Sequence, residues 1–240
     1  MNSLKITLAI VAMLCTTNAA QAQEKEYKIE VGNFYELNVS DNLSVDYRFS
    51  TDSAGYAVFT AHPDVAHAIV LSNSAKGKLS IKLNDKSIRA NQLPVITLYS
   101  SELLQVSNEG KGAVNILQLR PVSKFTAKTY DNGSITVNGL DAEEASLNIL
   151  TGKGQITVSG TPGKLDCKNV GTGVIEARNL EAHDINCSIV GTGHIYCNST
   201  GGPLVLKGTG SGKVHYKGTP SNIKLRQLGS IKAVPITDED

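Results

Sequence analysis

Tryptophan is absent from the 240 residues, phenylalanine occurs four times, and all aromatics together make up 5%. A buried core must therefore come from aliphatic side chains and close backbone packing rather than from large rings. Charge of one sign is also missing: 23 basic and 22 acidic side chains leave a formal net charge of +1. Near-neutrality argues against nucleic acid as a partner, because that binding needs a concentrated basic surface. No apolar run reaches membrane-spanning length; the longest, Ile6–Cys15, spans only about 15 Å as a helix, half a bilayer core. The four cysteines and five histidines form no paired Cys/His motif, which removes a structural zinc site. No integral membrane span, no metal and no cofactor are expected.

The first 22 residues read as a secretory signal. Lys5 and the amino terminus supply the positive start, Ile6–Cys15 the apolar run, and Ala20-Gln21-Ala22 the small-residue cleavage site. Cys15 invites a lipoprotein reading, but bulky Leu14 occupies the position before it, where such signals want a small residue. Removal of Lys5 leaves 22 basic against 22 acidic side chains.

What the chain does have is a repeat. A glycine followed by apolar residues two and four positions later recurs at Gly112, Gly133, Gly154, Gly173, Gly193, Gly212 and Gly229, at intervals of 21, 21, 19, 20, 19 and 17 residues. The +2 positions hold Val114, Ile135, Ile156, Ile175, Ile195, Val214 and Ile231. The +4 positions hold Ile116, Val137, Val158, Ala177, Cys197, Tyr216 and Ala233. In-phase apolar columns at a period near twenty mark stacked coils, none of which can bury its apolar face alone. Glycine suits the corners because a positive φ costs it nothing. The predicted fold is all-β: a right-handed parallel β-helix-like solenoid over 104–240. The tail Val234–Asp240, with Pro235 and three acids, is expected to close the last strand without templating another chain.

Residues 23–103 lack the phrase and read as an irregular β-rich part, either a start of the same solenoid or a separate small module. Alternation predicts strands at Tyr27–Val31, Phe34–Val39, Leu43–Phe49, Ala57–Ala61, Leu79–Leu83 and Val95–Tyr99. Pro63 suits a first helical position, so one short helix is expected at Pro63–Val70.

Cys167 and Cys187 each stand six residues before their corner glycine and so share a column, while Cys197 belongs to the inward +4 column. Neighbours in such a stack lie about 4.8 Å apart, inside the window for a disulfide. Side chains stacked in register point the same way, which fits the disulfide dihedral poorly, so buried free thiols are the competing and simpler reading.

Tests for chemistry return little. A calcium roll needs carboxylates at the corners, and the residues after the corner glycines are Ala113, Ser134, Gln155, Val174, His194, Lys213 and Ser230. A dinucleotide fingerprint needs a helix after its glycines, and strands follow here. Glycoside hydrolysis needs two carboxylates. The outward +3 column is Asn115, Thr136, Thr157, Glu176, Tyr196, His215 and Lys232, in which Glu176 alone is acidic. Asp141, Glu143 and Glu144 read as a solvated charge run in a turn. No catalytic set is assigned. The surface expected to bind a ligand combines Glu176, Tyr196 and His215 at +3 with Arg178 and Lys217 at +5, a ring beside charged groups that suits a sugar or a peptide. An ordinary solvated sheet face is the alternative, and His194 at +1 either joins the patch or is a lone surface histidine, the commoner case. Asp52-Ser53-Ala54 resembles a short O-glycosylation acceptor of Gram-negative envelope proteins.

The Phe34-Tyr-Glu-Leu-Asn-Val39 strand, the Leu79-Ser-Ile81 strand and Val95-Ile-Thr-Leu-Tyr99 with Leu103/Leu104 resemble one known family. The Gly-x-Gly corners and Tyr216-Lys-Gly218-Thr-Pro220 extend the match over nearly all of the chain. The family is the bacterial putative auto-transporter adhesin, head-GIN domain family. The resemblance implies a β-helix-like exported envelope protein with an adhesive role. Many members carry an acid after the second corner glycine, and this chain does not, so no role for a corner acid carries over. No β-barrel translocator is encoded within these residues.

The resulting expectation is a non-catalytic adhesion or ligand-binding protein, in the periplasm or on the surface of a Gram-negative cell, with a carbohydrate or an envelope or host surface protein as partner. A periplasmic structural or assembly factor is the alternative, and a polysaccharide-active β-helix enzyme a more distant one. If the signal reading holds, N-terminal sequencing of protein from the cell envelope should begin Gln23-Glu24-Lys25; a sequence beginning at Met1 would contradict it.

Overall fold

A computed structural model of the chain describes residues 24–236. The signal reading, and the last four residues of the acidic tail, fall outside that range. The protein is nearly all β, 65% strand and 4% helix, wound as a β-solenoid of about seven turns.

The chain opens with β1 (Lys25–Glu30), β2 (Glu36–Val39), β3 (Ser44–Phe49) and β4 (Tyr56–Ala61). Helix α1 (Pro63–Ala68), β5 (Ile69–Asn73), β6 (Lys78–Leu83) and β7 (Val95–Ser100) follow. Next come β8 (Gln105–Asn108), β9 (Ala113–Gln118), β10 (Val122–Thr129) and two long bent strands, β11 (Ser134–Ile149) and β12 (Gln155–Gly171). The last coils are β13 (Val174–Ala182) with β14 (Asp184–Gly191), β15 (His194–Ser199) with β16 (Pro203–Gly210), β17 (Lys213–Gly218) with β18 (Asn222–Gly229), and β19 (Lys232–Pro235). The six strands expected before residue 103 are all present within two residues of their expected ends. The helix stops at Ala68, and Ile69 and Val70 enter β5 instead, where they pair antiparallel with Leu83 and Lys82. β-Branched residues at a helix end yield readily to a sheet edge.

Each coil gives one strand to each of two parallel ladders. The first ladder runs β6–β2–β8–β10, the later halves of β11 and β12, then β14–β16–β18. The second runs β7–β3–β9, the earlier halves of β11 and β12, then β13–β15–β17–β19. Spatial order departs from chain order at one place: the coil made by β2 and β3 lies between the β6/β7 coil and the β8/β9 coil. Antiparallel pairings of β1 with β4, β4 with β7 and β5 with β6 close that end of the stack. At the other end every residue of β18 is exposed, with Leu228 at 76%.

Alternation aims one residue in two at the interior, so the columns of Val114, Ile135, Ile156, Ile175, Ile195 and Val214 are fully buried. The glycines that turn the corners are of two kinds, and the expectation of positive φ holds for only one. Gly152, Gly171, Gly191 and Gly210 have φ of 83°, 122°, 122° and 116°. The second glycine of each phrase has no positive φ; it is there because a Cβ has no room. On Gly173 a Cβ would lie 2.4 Å from the carbonyl oxygen of Gly154, and on Gly212 2.5 Å from that of Gly193.

The seventh anchor is corrected. Gly229 pairs with Gly210 and Lys232 with Lys213, so Ile231, not Gly229, stands where the earlier coils place their second glycine. Ala233 and Pro235 then take the +2 and +4 places, beside Val214 and Tyr216, and Val234 rather than Lys232 continues the outward column of His215. A size exchange explains the isoleucine. Ile149, Asn169 and Ile189 press on Gly173, Gly193 and Gly212, whereas the next residue in that interior column is Gly208. Ile231 fills the space that a side chain at Gly208 would have taken: a Cβ there would lie 2.9 Å from its Cδ1.

Cys167, Cys187 and Cys197 are buried free thiols, and Cys167 and Cys187 are paired in register. The Cys167 thiol, with burial, pushes the ionisation of Cys187 well above the ordinary thiol value. The Cys187 thiol and burial do the same for Cys197. Because the thiolate is the reactive form, Cys187 and Cys197 should resist a disulfide reagent at pH 8 in the folded protein and react at once in denaturant; rapid native labelling of either would contradict the packing. Gly173→Ala should lower stability by about 1–3 kcal/mol in urea unfolding, since the clash is with backbone that cannot rotate away. An unchanged midpoint would remove the steric account of the corner.

Candidate functional site

Outward positions of β13, β15 and β17 carry the residues singled out for binding. Glu176 pairs with Tyr196, and Tyr196 with His215, so these three stand in one column on the second ladder. The Tyr196 and His215 rings stack with centroids 4.6 Å apart and planes 14° apart. The Arg178 guanidinium caps the other side of Tyr196, its carbon 4.6 Å from the ring centroid. Its Nε donates to Glu176 Oε1 at 2.8 Å, and the same oxygen accepts from the Arg178 backbone N–H at 3.3 Å. A cation over a ring at a partly exposed site is worth about 0.5–1 kcal/mol, and the carboxylate holds the guanidinium flat where it is useful.

Arg178 does not share a column with Lys217, contrary to expectation. Pairing passes from Ala177↔Cys197 directly to Glu181↔Asn198, so β13 bulges between those points and Arg178 lies in the bulge. That extra length lets the guanidinium fold back over Tyr196, as bulges commonly re-aim side chains. Lys217 pairs in register with Asn198 and stands exposed at the margin of the ring stack.

His194 belongs to the group, the less common of the two readings that its sequence position leaves open. Its ring lies 5.5 Å from that of His215 and 6.4 Å from that of Tyr196. Nδ1 of His194 is 3.3 Å from Nε2 of His215, so one nitrogen donates and the other accepts. The signal for it is diagonal, from one strand to the next, and a column-by-column reading does not see diagonals. The interior fixes both histidines. The buried Asn169 amide donates to Gly173 O at 2.8 Å and to His194 O at 3.2 Å, and Cys197 Sγ donates to His215 O at 3.6 Å.

The result is a shallow, half-exposed platform of three rings and a guanidinium beside one carboxylate that is already engaged. Such a surface can stack against a sugar ring or a planar peptide group and offer hydrogen bonds at its rim. It does not set two free carboxylates across a bond to be cleaved. Elsewhere, Glu144 of the acidic run pairs with Lys124 at 3.3 Å. Ser53 sits half-buried in the β3–β4 turn, its N–H donating to Ser50 Oγ at 3.0 Å. Among the described residues no three His, Cys, Asp or Glu side chains gather closely enough to hold a metal ion, and no helix is long and apolar enough to cross a membrane.

Known proteins share this architecture. A putative adhesin from Bacteroides fragilis superposes with a TM-score of 0.78 at 21% identity, over 89% of this chain and 97% of its own. A putative adhesin from Parabacteroides distasonis gives 0.71 at 17% identity, over 90% and 98%. A putative lipid binding protein from the same species gives 0.69 at 21% identity, over 90% and 98%. At these identities the likeness is one of fold. No curated protein is significantly similar in sequence. The model of one family, "Putative auto-transporter adhesin, head GIN domain", matches residues 33–220, and the chain belongs to that family.

Proposed function

We propose that the protein is an exported, non-catalytic adhesion or ligand-binding protein of the bacterial cell envelope, and that it binds its ligand on the platform of Glu176, Arg178, Tyr196 and His215, with His194 and Lys217 at its edges. The observation that carries this reading is the continuous stack of Arg178 on Tyr196 on His215. Three ordered side chains stacked on a sheet face present apolar ring area together with charge, and little rotamer freedom remains to be lost when a ligand settles on them. The engaged state of Glu176 supports recognition over hydrolysis. Family membership supports an adhesive role at a surface.

The ligand class that fits is a carbohydrate, or a loop of an envelope or host surface protein. A glycan and matrix-protein array probed with wild-type protein should yield at least one ligand whose affinity falls about tenfold, roughly 1.4 kcal/mol, in Tyr196→Ala. An array that stays blank, or ligands indifferent to that substitution, would contradict the platform.

A second reading, a periplasmic structural or assembly factor, is favoured by a different observation. The open end of the stack exposes Ile223, Leu225 and Leu228 at 41%, 45% and 76% on a strand that, among the described residues, pairs along one edge only, the kind of edge to which another chain adds. Protease treatment of intact cells separates the two: cleavage supports surface adhesion, and protection together with a stably co-purifying envelope protein supports assembly.

A further inference from the structure

The first ladder carries a charge pattern that the ring platform does not use. Along its outer face one column reads Lys128, Asn148, Lys168, Ser188, Lys207 and Arg226, each paired in register with the next. From Lys128 through Lys168 to Lys207 a cation recurs at every second coil, about 10 Å apart, with a neutral hydrogen-bonding side chain between, and Arg226 follows Lys207 on the next coil. No acid occurs in this stretch. The acids in neighbouring columns are already engaged: Asp166 by Lys164 at 3.0 Å and by the Asn186 amide at 2.8 Å, Glu144 by Lys124 at 3.3 Å, and Asp184 by His183 at 2.7 Å. Lys168 and Lys207 are exposed and line a depression of about 370 Å³, whose wall also includes Asn148, Asn186, Ser188 and the engaged Asp166.

We infer that this column is a binding track for a single acidic polysaccharide chain, laid along the solenoid axis, with carboxylates on alternate sugars. A rigid repeat of positive charge at two-coil spacing matches a polymer whose charge recurs once per disaccharide. The amide and hydroxyl side chains between the cations meet the intervening hydroxyls. A nucleic acid strand fits less well, because its phosphates are spaced more closely than these cations and the column offers no aromatic ring on which bases could stack. The track lies on the ladder that does not carry Tyr196, so it stands or falls independently of the ring platform.

The test is calorimetric titration of the protein with a hyaluronan octasaccharide, which has one carboxylate per disaccharide, against the same oligosaccharide with its carboxyls reduced and against single-stranded DNA. The expected result is binding of the native oligosaccharide alone, weakening as salt rises. The double variant Lys168→Gln/Lys207→Gln should weaken it about tenfold and flatten the salt dependence. The charge-matched control Lys76→Gln/Lys153→Gln, at exposed turn positions, should leave it unchanged. Absence of binding, equal binding of the reduced oligosaccharide, DNA bound as tightly as hyaluronan, or an equal loss in the control variant would each overturn the inference.

Discussion

In-register stacking of parallel coils at about 4.8 Å is the constraint on which everything else in this protein depends. At the corners it brings one coil's backbone onto the carbonyl oxygens of the coil before, leaving no space for a Cβ at Gly173 or Gly212. Glycine is therefore forced by contact between coils as much as by local conformation. Each such glycine is covered by a side chain of the adjoining ladder, and the size of one partner sets the size of the other. Ile231 over Gly208 is the same rule with the partners exchanged. An aliphatic protein with no tryptophan gains its close packing from this interlock.

The same interlock reaches the surface. Asn108 and Asn169 are buried polar residues in a column that they share with Thr129, Ile149 and Ile189, and each spends its amide on its own corner and on the next coil, Asn108 on Gly112 and Ser134, Asn169 on Gly173 and His194. A buried amide so used makes bonds that a hydrocarbon cannot, at the expense of desolvation. For Asn169 the beneficiary is the backbone of His194, one ring of the outer platform. Cys197 reaches the backbone of His215 in the same way. The ring stack is thus an extension of core order to the solvent face, which distinguishes it from an accidental meeting of exposed side chains.

How much of this was legible in the sequence follows from which contacts are local and periodic. The period of about twenty exposes the coils, the inward columns and the Glu176–Tyr196–His215 alignment, because each of these repeats at fixed spacing. The corner at Gly229 misleads, because the two glycines of a phrase look alike as letters and differ only in what lies across the coil gap. The exchange of Gly208 and Ile231 joins residues 23 positions apart and leaves no periodic trace. The bulge that frees Arg178 and the diagonal that brings in His194 depend on register shifts and rotamers rather than on spacing. Nor does any pattern announce that β2 and β3 insert between coils that follow them in the chain, since the partners of β2 begin at Lys78 and Gln105.

Threading of that coil is where the account is most exposed. If β2 and β3 lie inside the stack, they cannot separate from it without breaking pairings on both sides, and local opening must spare them. Amide hydrogen exchange read strand by strand decides the matter. The account predicts that Leu37, Val39, Val45 and Tyr47 exchange as slowly as Val106 and Val114, while β18 and β19 at the open end exchange first. Early, independent exchange of β2 and β3 would contradict it, for the strands before residue 103 would then be a separate module and not part of one continuous stack.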